Sequence, residues 1–294
     1  MVTERQVIPG WLAALYPFTP KRRLTPSGAV MSYVDEGEGE AVLMLHGNPT
    51  WSFFYRNLIR ELSPGFRCIA PDHIGMGLSD KPQNYDYRLK TRIDDIEALV
   101  EALGLKKLHL VVHDWGGAIG FGLATRRPAL IGRIVILNTA AFPMAHIPGR
   151  IALCRSRGFG EFLVRGLNGF AGPATWMSLH DRTLSADEKR GYLFPYDSWA
   201  NRVAVYQFVR DIPMEPDHSS RSTLETIAGK LPELRSTPKL ILWGGRDFCF
   251  DDRFLSKWAG IYPEAKAKRY DDAGHYVLDD AGPDALARIK TFLS

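Results

Sequence analysis

Between Leu108 and Arg127 the chain reads LHLVVHDWGGAIGFGLATRR. Leu108, Leu110, Val111 and Val112 form the short apolar run of a buried strand, and Gly116, Gly117, Ala118, Gly120 and Gly122 then give a small-residue face at helical spacing. A strand that turns at once into a helix brings two backbones hard against each other, and Gly116 and Gly117 supply the room. The residue at the apex of such a bend is pushed out past the end of the sheet. Here it is Asp114. A carboxylate in that place needs no base to free it for attack. It suits displacement at a saturated carbon, with an alkyl ester formed on the protein. The alternative is that Asp114 caps the following helix, since aspartate is a favoured N-cap.

Around this bend, short apolar strands alternate with helices. Residues 29–34, 41–45, 67–70 and 131–137 read as strands, and 51–62 has helical spacing. The segment 87–103 is amphipathic, with Leu89, Ile93, Ile96, Leu99, Val100 and Leu103 on one face and Arg92, Asp94, Asp95, Glu97 and Glu101 expected on a solvated one. This rhythm predicts an α/β fold with a mostly parallel sheet covered on both sides. It stops at about residue 145. From there to 230 the pattern is helical, without a buried strand, and rich in aromatic residues expected mainly in packing. The rhythm then resumes with a strand at 239–243, a helix at 251–261, a strand at 265–270 and a helix at 283–293. The expected organisation is a core domain made of 1–144 and 231–294, with 145–230 inserted as a helical cap.

Three residues stand just past predicted strand ends, in the order Asp114, Asp247, His275. Parallel strands end on one edge, so residues far apart in sequence meet there. In a scheme with an ester intermediate, His275 would activate water, Asp247 would fix its tautomer, and Asp114 would be the nucleophile. Asp251, Asp252, Asp271 and Asp272 compete for the role of the acid; Asp247 is preferred because it follows its strand by one tight turn. The strand 41–45 runs into His46-Gly47-Asn48-Pro49, which places the backbone N–H of Asn48 near the same edge. With Trp115, it would supply donors for an oxyanion. His46 is read as a brace for the loop.

The formal charge of +4 is spread along the chain with acidic residues among the basic ones, so no nucleic-acid footprint is expected. Cys68, Cys154 and Cys249 are far apart and the eight histidines form no HExxH pattern, so no metal or other cofactor is expected. The thiols fit a cytoplasmic protein. Residues 7–18 are apolar but broken by Pro9, Gly10 and Pro17 and preceded by Glu4 and Arg5, which suits neither a signal peptide nor a membrane span.

HGNPTWSFFYRNL, PDHIGMGLSDKP, VVHDWGGAIGF, WGGRDF and DAGHY together resemble the haloalkane dehalogenase family of α/β-hydrolases, over nearly all of the chain outside the cap. The resemblance implies the α/β-hydrolase fold, Asp114 as nucleophile, Asp247 as acid and His275 as base. It also implies that the Asn48 side-chain amide and the Trp115 indole N–H grip a departing anion. One subgroup carries its acid as Glu after the strand ending here at Leu137, where this chain has Asn138. The pattern instead resembles the third subgroup, with Asp after the following strand. Within it, LNTAAFP and WGGRDFCF are similar to the β-lactone decarboxylases of bacterial olefin biosynthesis. That likeness implies a small apolar substrate, a cis-β-lactone, converted to a cis-alkene and carbon dioxide without water. Assembly with other enzymes of that pathway is a further expectation; the oligomeric state stays open. The alternatives are halide displacement, an epoxide hydrolase using Tyr192, Tyr196 or Tyr206, and a ligand-binding protein without turnover.

Overall fold

A computed structural model describes residues 8–294. Glu4, Arg5 and Val7, which enter the reading of the N-terminal run, lie outside the described residues. Eight strands form one sheet: β1 (Lys21–Leu24), β2 (Val30–Glu36), β3 (Glu40–Leu45), β4 (Phe66–Pro71), β5 (Leu108–Asp114), β6 (Ile131–Thr139), β7 (Lys239–Gly244) and β8 (Lys266–Tyr270). Their order is β1-β2-β4-β3-β5-β6-β7-β8. The pairs β1/β2 and β2/β4 are antiparallel, and every pair from β4 onward is parallel. The parallel strands therefore deliver their C-terminal ends to one edge.

Alternation along the central strands feeds two cores. Leu43, Leu45, Leu110, Val112, Ile134 and Ile136 belong to one, and Val42, Met44, Val111, Val135 and Leu137 to the other. A strand buried on both faces reads as an unbroken apolar run, which is why these strands stand out in the sequence. The two outer strands differ. β1 carries Lys21, Arg22 and Arg23, and β8 carries Lys266, Lys268 and Arg269. Basic side chains on an open edge oppose pairing with another chain. β1 lacks an apolar alternation, and the sequence reading passes over it.

Between β6 and β7 the described residues form helices and no strand, among them Gly149–Arg155, Ala171–Met177, Ala186–Leu193, Val203–Arg210 and Arg221–Lys230. Phe159, Phe162, Trp176 and Trp199, expected in packing, lie instead on the outer surface of this segment.

The expected helix 87–103 runs Leu89–Ala102, and its solvated face needs correction. Arg92 and Asp95 are buried. The Arg92 guanidinium lies 3.6 Å over the Phe208 ring and donates to Asp211. Periodicity in one helix does not reveal a second layer of helices packed upon it, so a charged position read as solvent-facing is covered. Among the described residues no helix is long and apolar enough to cross a membrane.

Candidate active site

Asp114 ends β5 and precedes the helix Trp115–Arg126, with φ 52° and ψ −127°. Left-handed backbone is costly for a residue with a Cβ and persists only where the surroundings impose it. Here they do. A Cβ on Gly116 would collide with the Leu45 carbonyl oxygen and one on Gly117 with the Thr139 hydroxyl, so both glycines allow the helix to start against the sheet. Thr139 Oγ1 donates to the Asp114 carbonyl. The Asp114 side chain makes no capping hydrogen bond, which removes the reading of it as a helix cap.

The Asp114 carboxylate is turned toward the loop after β3. Its Oδ1 accepts the Asn48 backbone N–H at 2.7 Å, and its Oδ2 lies 3.6 Å from His275 Nε2. A Cβ on Gly47 would run into this carboxylate. Burial pushes the Asp114 carboxyl above its ordinary value, while His275 and the N–H groups of Asn48 and Trp115 offset part of the push.

His275 follows β8 and is held through its other nitrogen. Nδ1 donates to Asp247 Oδ2 at 2.7 Å, which directs Nε2 at Asp114. Burial alone would push the imidazolium down, but Asp247 and then Asp114 outweigh it, and the balance is upward. The Phe250 ring stacks on His275 at 5.6 Å, and His113 Nε2 donates to the His275 carbonyl at 2.9 Å.

Each oxygen of Asp247 accepts two hydrogen bonds. Oδ1 accepts the Cys249 and Phe250 N–H groups, and Oδ2 accepts both His275 and the Asn138 side chain at 3.0 Å. The competing acids are engaged elsewhere. Asp251 pairs with Arg253, Asp252 and Asp271 with Arg269, and Asp272 with Arg246. Asn138 is the participant that sequence reasoning missed. Its amide donates to Asp247 and to the Gly244 carbonyl, and its oxygen accepts the Gly244 N–H. Asn138 therefore ties β6 to the loop that carries the acid. The signal available in the sequence is its position near the end of β6, where the resemblance to one subgroup would put a Glu.

Asn48 and Trp115 line the same space as Asp114. Asn48 Nδ2 donates to the Val205 carbonyl at 3.0 Å, and its Oδ1 is buried without a partner. The Trp115 ring packs on Phe208 at 5.6 Å. Both contacts come from the helix Val203–Arg210. His46 does not reach the carboxylate. It takes the His73 N–H on Nε2 and contacts the Gly47 carbonyl through Nδ1, bracing two loops, and burial pushes its pKa down to about 4.

Two apolar spaces meet at Asn48 and Asp114. Trp115 lines the first and His275 the second. Tyr192, Tyr196 and Tyr206 line neither; their hydroxyls are hydrogen-bonded to Asp279, to the Thr50 carbonyl and to the Ser156 carbonyl. Among the described residues no group of three or more His, Cys, Asp or Glu side chains is placed to hold a metal ion. The arrangement offers a buried carboxylate, an adjacent oriented imidazole and two neutral donors, Asn48 at the meeting point of the two spaces and Trp115 on the first. That set favours attack by Asp114 on a bound apolar molecule and release of an anion.

Residues 40–282 match the family model described as alpha/beta hydrolase fold. The chain is 45% identical over 289 residues to the cis-3-alkyl-4-alkyloxetan-2-one decarboxylase of Shewanella oneidensis, covering 96% of this chain and 91% of that one. It is 30% identical over 289 residues to haloalkane dehalogenase 2 of Mycobacterium bovis, covering 93% and 94%. Against the crystal structure of haloalkane dehalogenase DbeA from Bradyrhizobium elkani the TM-score is 0.85 at 29% identity, covering 92% of this chain and 96% of that one.

Proposed function

Because this chain belongs to the α/β-hydrolase family, among the relatives that include haloalkane dehalogenases and oxetan-2-one decarboxylases, we propose that it converts a cis-3,4-dialkyl-oxetan-2-one to a cis-alkene and carbon dioxide. The observation that carries the reading is the 45% identity to a decarboxylase across nearly the whole chain. The Asp114 carboxylate attacks C4 of the lactone, and the bond from C4 to the ring oxygen breaks. The released carboxylate, still attached to C3, is held by the Asn48 amide and the Trp115 indole N–H. The bond from C3 to the carboxylate carbon then breaks and its electron pair forms the alkene, while Asp114 leaves C4 with the ester electron pair. Inversion followed by anti elimination preserves the cis geometry. No water is consumed. Asp247 and Asp114 favour the protonated form of His275, and that imidazolium would stabilise the Asp114 carboxylate as it departs.

Residues 145–230 act in this reading as a cap over the sheet edge. The protein works in the cytoplasm in olefin biosynthesis, in company with the enzymes that make its lactone. The free thiols of Cys68, Cys154 and Cys249 fit a reducing compartment.

The runner-up is halide displacement, in which His275 activates water to hydrolyse the Asp114 ester. Multiple turnovers in oxygen-18 water, followed by mass spectrometry of the peptide holding Asp114, separate the two. The decarboxylase leaves that carboxylate unlabelled while alkene and carbon dioxide appear; label in it would replace this proposal with a hydrolytic one. Replacement of His275 by Ala would trap an ester in the hydrolytic scheme. An epoxide hydrolase needs lid tyrosines facing the substrate, and Tyr192, Tyr196 and Tyr206 are engaged away from both spaces.

A further inference from the structure

We propose that the two alkyl chains of the substrate occupy separate arms of the site, the C3 chain beside Trp115 and the C4 chain beside His275. This rests on the lactone reading above and assigns each substituent its place. The two spaces share Asn48 and Asp114 at their junction, and Ile151, Phe170 and Cys249 line both, forming the partition between them. Beyond the partition they diverge. The first runs past Trp115 to Ile147 and Leu224, and the second past His275 to Ala174 and Met177.

Counting the space open at its mouth, the first measures about 860 Å³ and the second about 900 Å³. A molecule branched at two adjacent carbons uses both, and each buried methylene favours binding.

Displacement chemistry sets which chain goes where. Attack at C4 comes from the side opposite the ring oxygen, so the departing carboxylate points away from Asp114 toward the Asn48 amide and the Trp115 indole. That carboxylate remains on C3. C3 and its chain are therefore drawn to the arm that Trp115 lines, and the chain on C4 is left to the arm that His275 lines.

The test uses two regioisomeric cis-lactones, one with a long chain on C3 and methyl on C4, the other reversed. Both give the same cis-alkene, so one product assay reads both. Ile147→Trp narrows the first arm and Ala174→Phe the second, and neither residue touches the reacting atoms. Ile147→Trp is expected to lower kcat/KM at least ~10-fold for the isomer with the long C3 chain and under ~3-fold for the other, with Ala174→Phe giving the reverse. Equal losses on both isomers, or the opposite pairing, overturn the assignment. If the wild-type protein makes no alkene from either isomer, the lactone reading fails. The arms are then judged by binding of the two ring-opened 3-hydroxy acids, followed by tryptophan fluorescence in the wild type and both variants. Affinity that drops only for the matching acid supports two arms, and affinity that ignores chain position overturns them.

Discussion

The sheet edge and the helical segment above it hold their parts of the site by different means. At the edge, reactive groups are fixed by hydrogen bonds from the loops that carry them. Asp247 accepts two backbone N–H groups and two side-chain donors, and Asp114 accepts the Asn48 N–H. The helical segment reaches the two proposed anion donors through one carbonyl, that of Val205, and one ring, that of Phe208. Its helix Val203–Arg210 is in turn pinned by Asp211, which accepts from Arg92, Arg88 and Ser220. The difference separates two tasks. The core fixes Asp114, the proposed nucleophile, and the helix above places Asn48 and Trp115, the proposed anion donors.

Four experiments can break or sharpen that division. The largest effect is expected at the edge. Asp114→Asn keeps the shape and removes the nucleophile, so turnover should fall at least ~10⁴-fold with an unchanged circular dichroism spectrum. Activity within tenfold of the wild type would show that the bond is made elsewhere. Next is the clasp on the helix. Arg92→Met leaves Asp211 buried with a weaker set of partners and should cost about 3–5 kcal/mol in urea unfolding. The double variant Arg92→Met, Asp211→Leu should recover much of that loss; an unchanged midpoint in the single variant would mean that the pair does not hold the helix.

The third concerns the brace at the edge. His46 is neutral in the folded state, with a pKa of about 4, whereas the unfolded chain takes up the proton below about 6.5. Stability from this group is therefore complete above pH 6.5 and is lost as the pH falls toward 4. The gap corresponds to about 3 kcal/mol. Unfolding curves between pH 4 and 8 should slope less in His46→Gln than in the wild type, and parallel slopes would remove His46 from the account. The smallest effect belongs to Asn48, which joins the two regions. Asn48→Ala should lower kcat by ~10²-fold, the loss typical of one anion donor. No change in kcat would take its side chain out of the site.

The two regions were also unequally readable from the sequence. β3, β5 and β6 are apolar on both faces, and residues just past strand ends must share an edge, so Asp114, Asp247 and His275 could be brought together on paper. β1 was not visible, because Lys21-Arg22-Arg23 at an exposed edge carries no apolar signal. Asn138 was noticed only as the absence of a Glu, since its work depends on a bond to a loop more than a hundred residues away. Arg92 looked like a surface charge for the same reason. Its partners, Asp211 and Phe208, belong to a helix whose docking site is set by three-dimensional packing rather than by local pattern. The same limit applies to Phe159, Phe162, Trp176 and Trp199, whose aromatic character reads as packing although they lie on the outer surface.

The partition at the mouth of the nucleophile is built from side chains that take no hydrogen bonds to the reacting groups. Ile151 and Phe170 come from the helical segment, and Cys249 contributes to Asp247 only through its backbone N–H. Their size can therefore drift without disturbing the acid, the imidazole or the bend. In the proposed reaction, chemistry and choice of guest rest on separate side chains, so substitutions in the partition alone can retune which chain lengths fit.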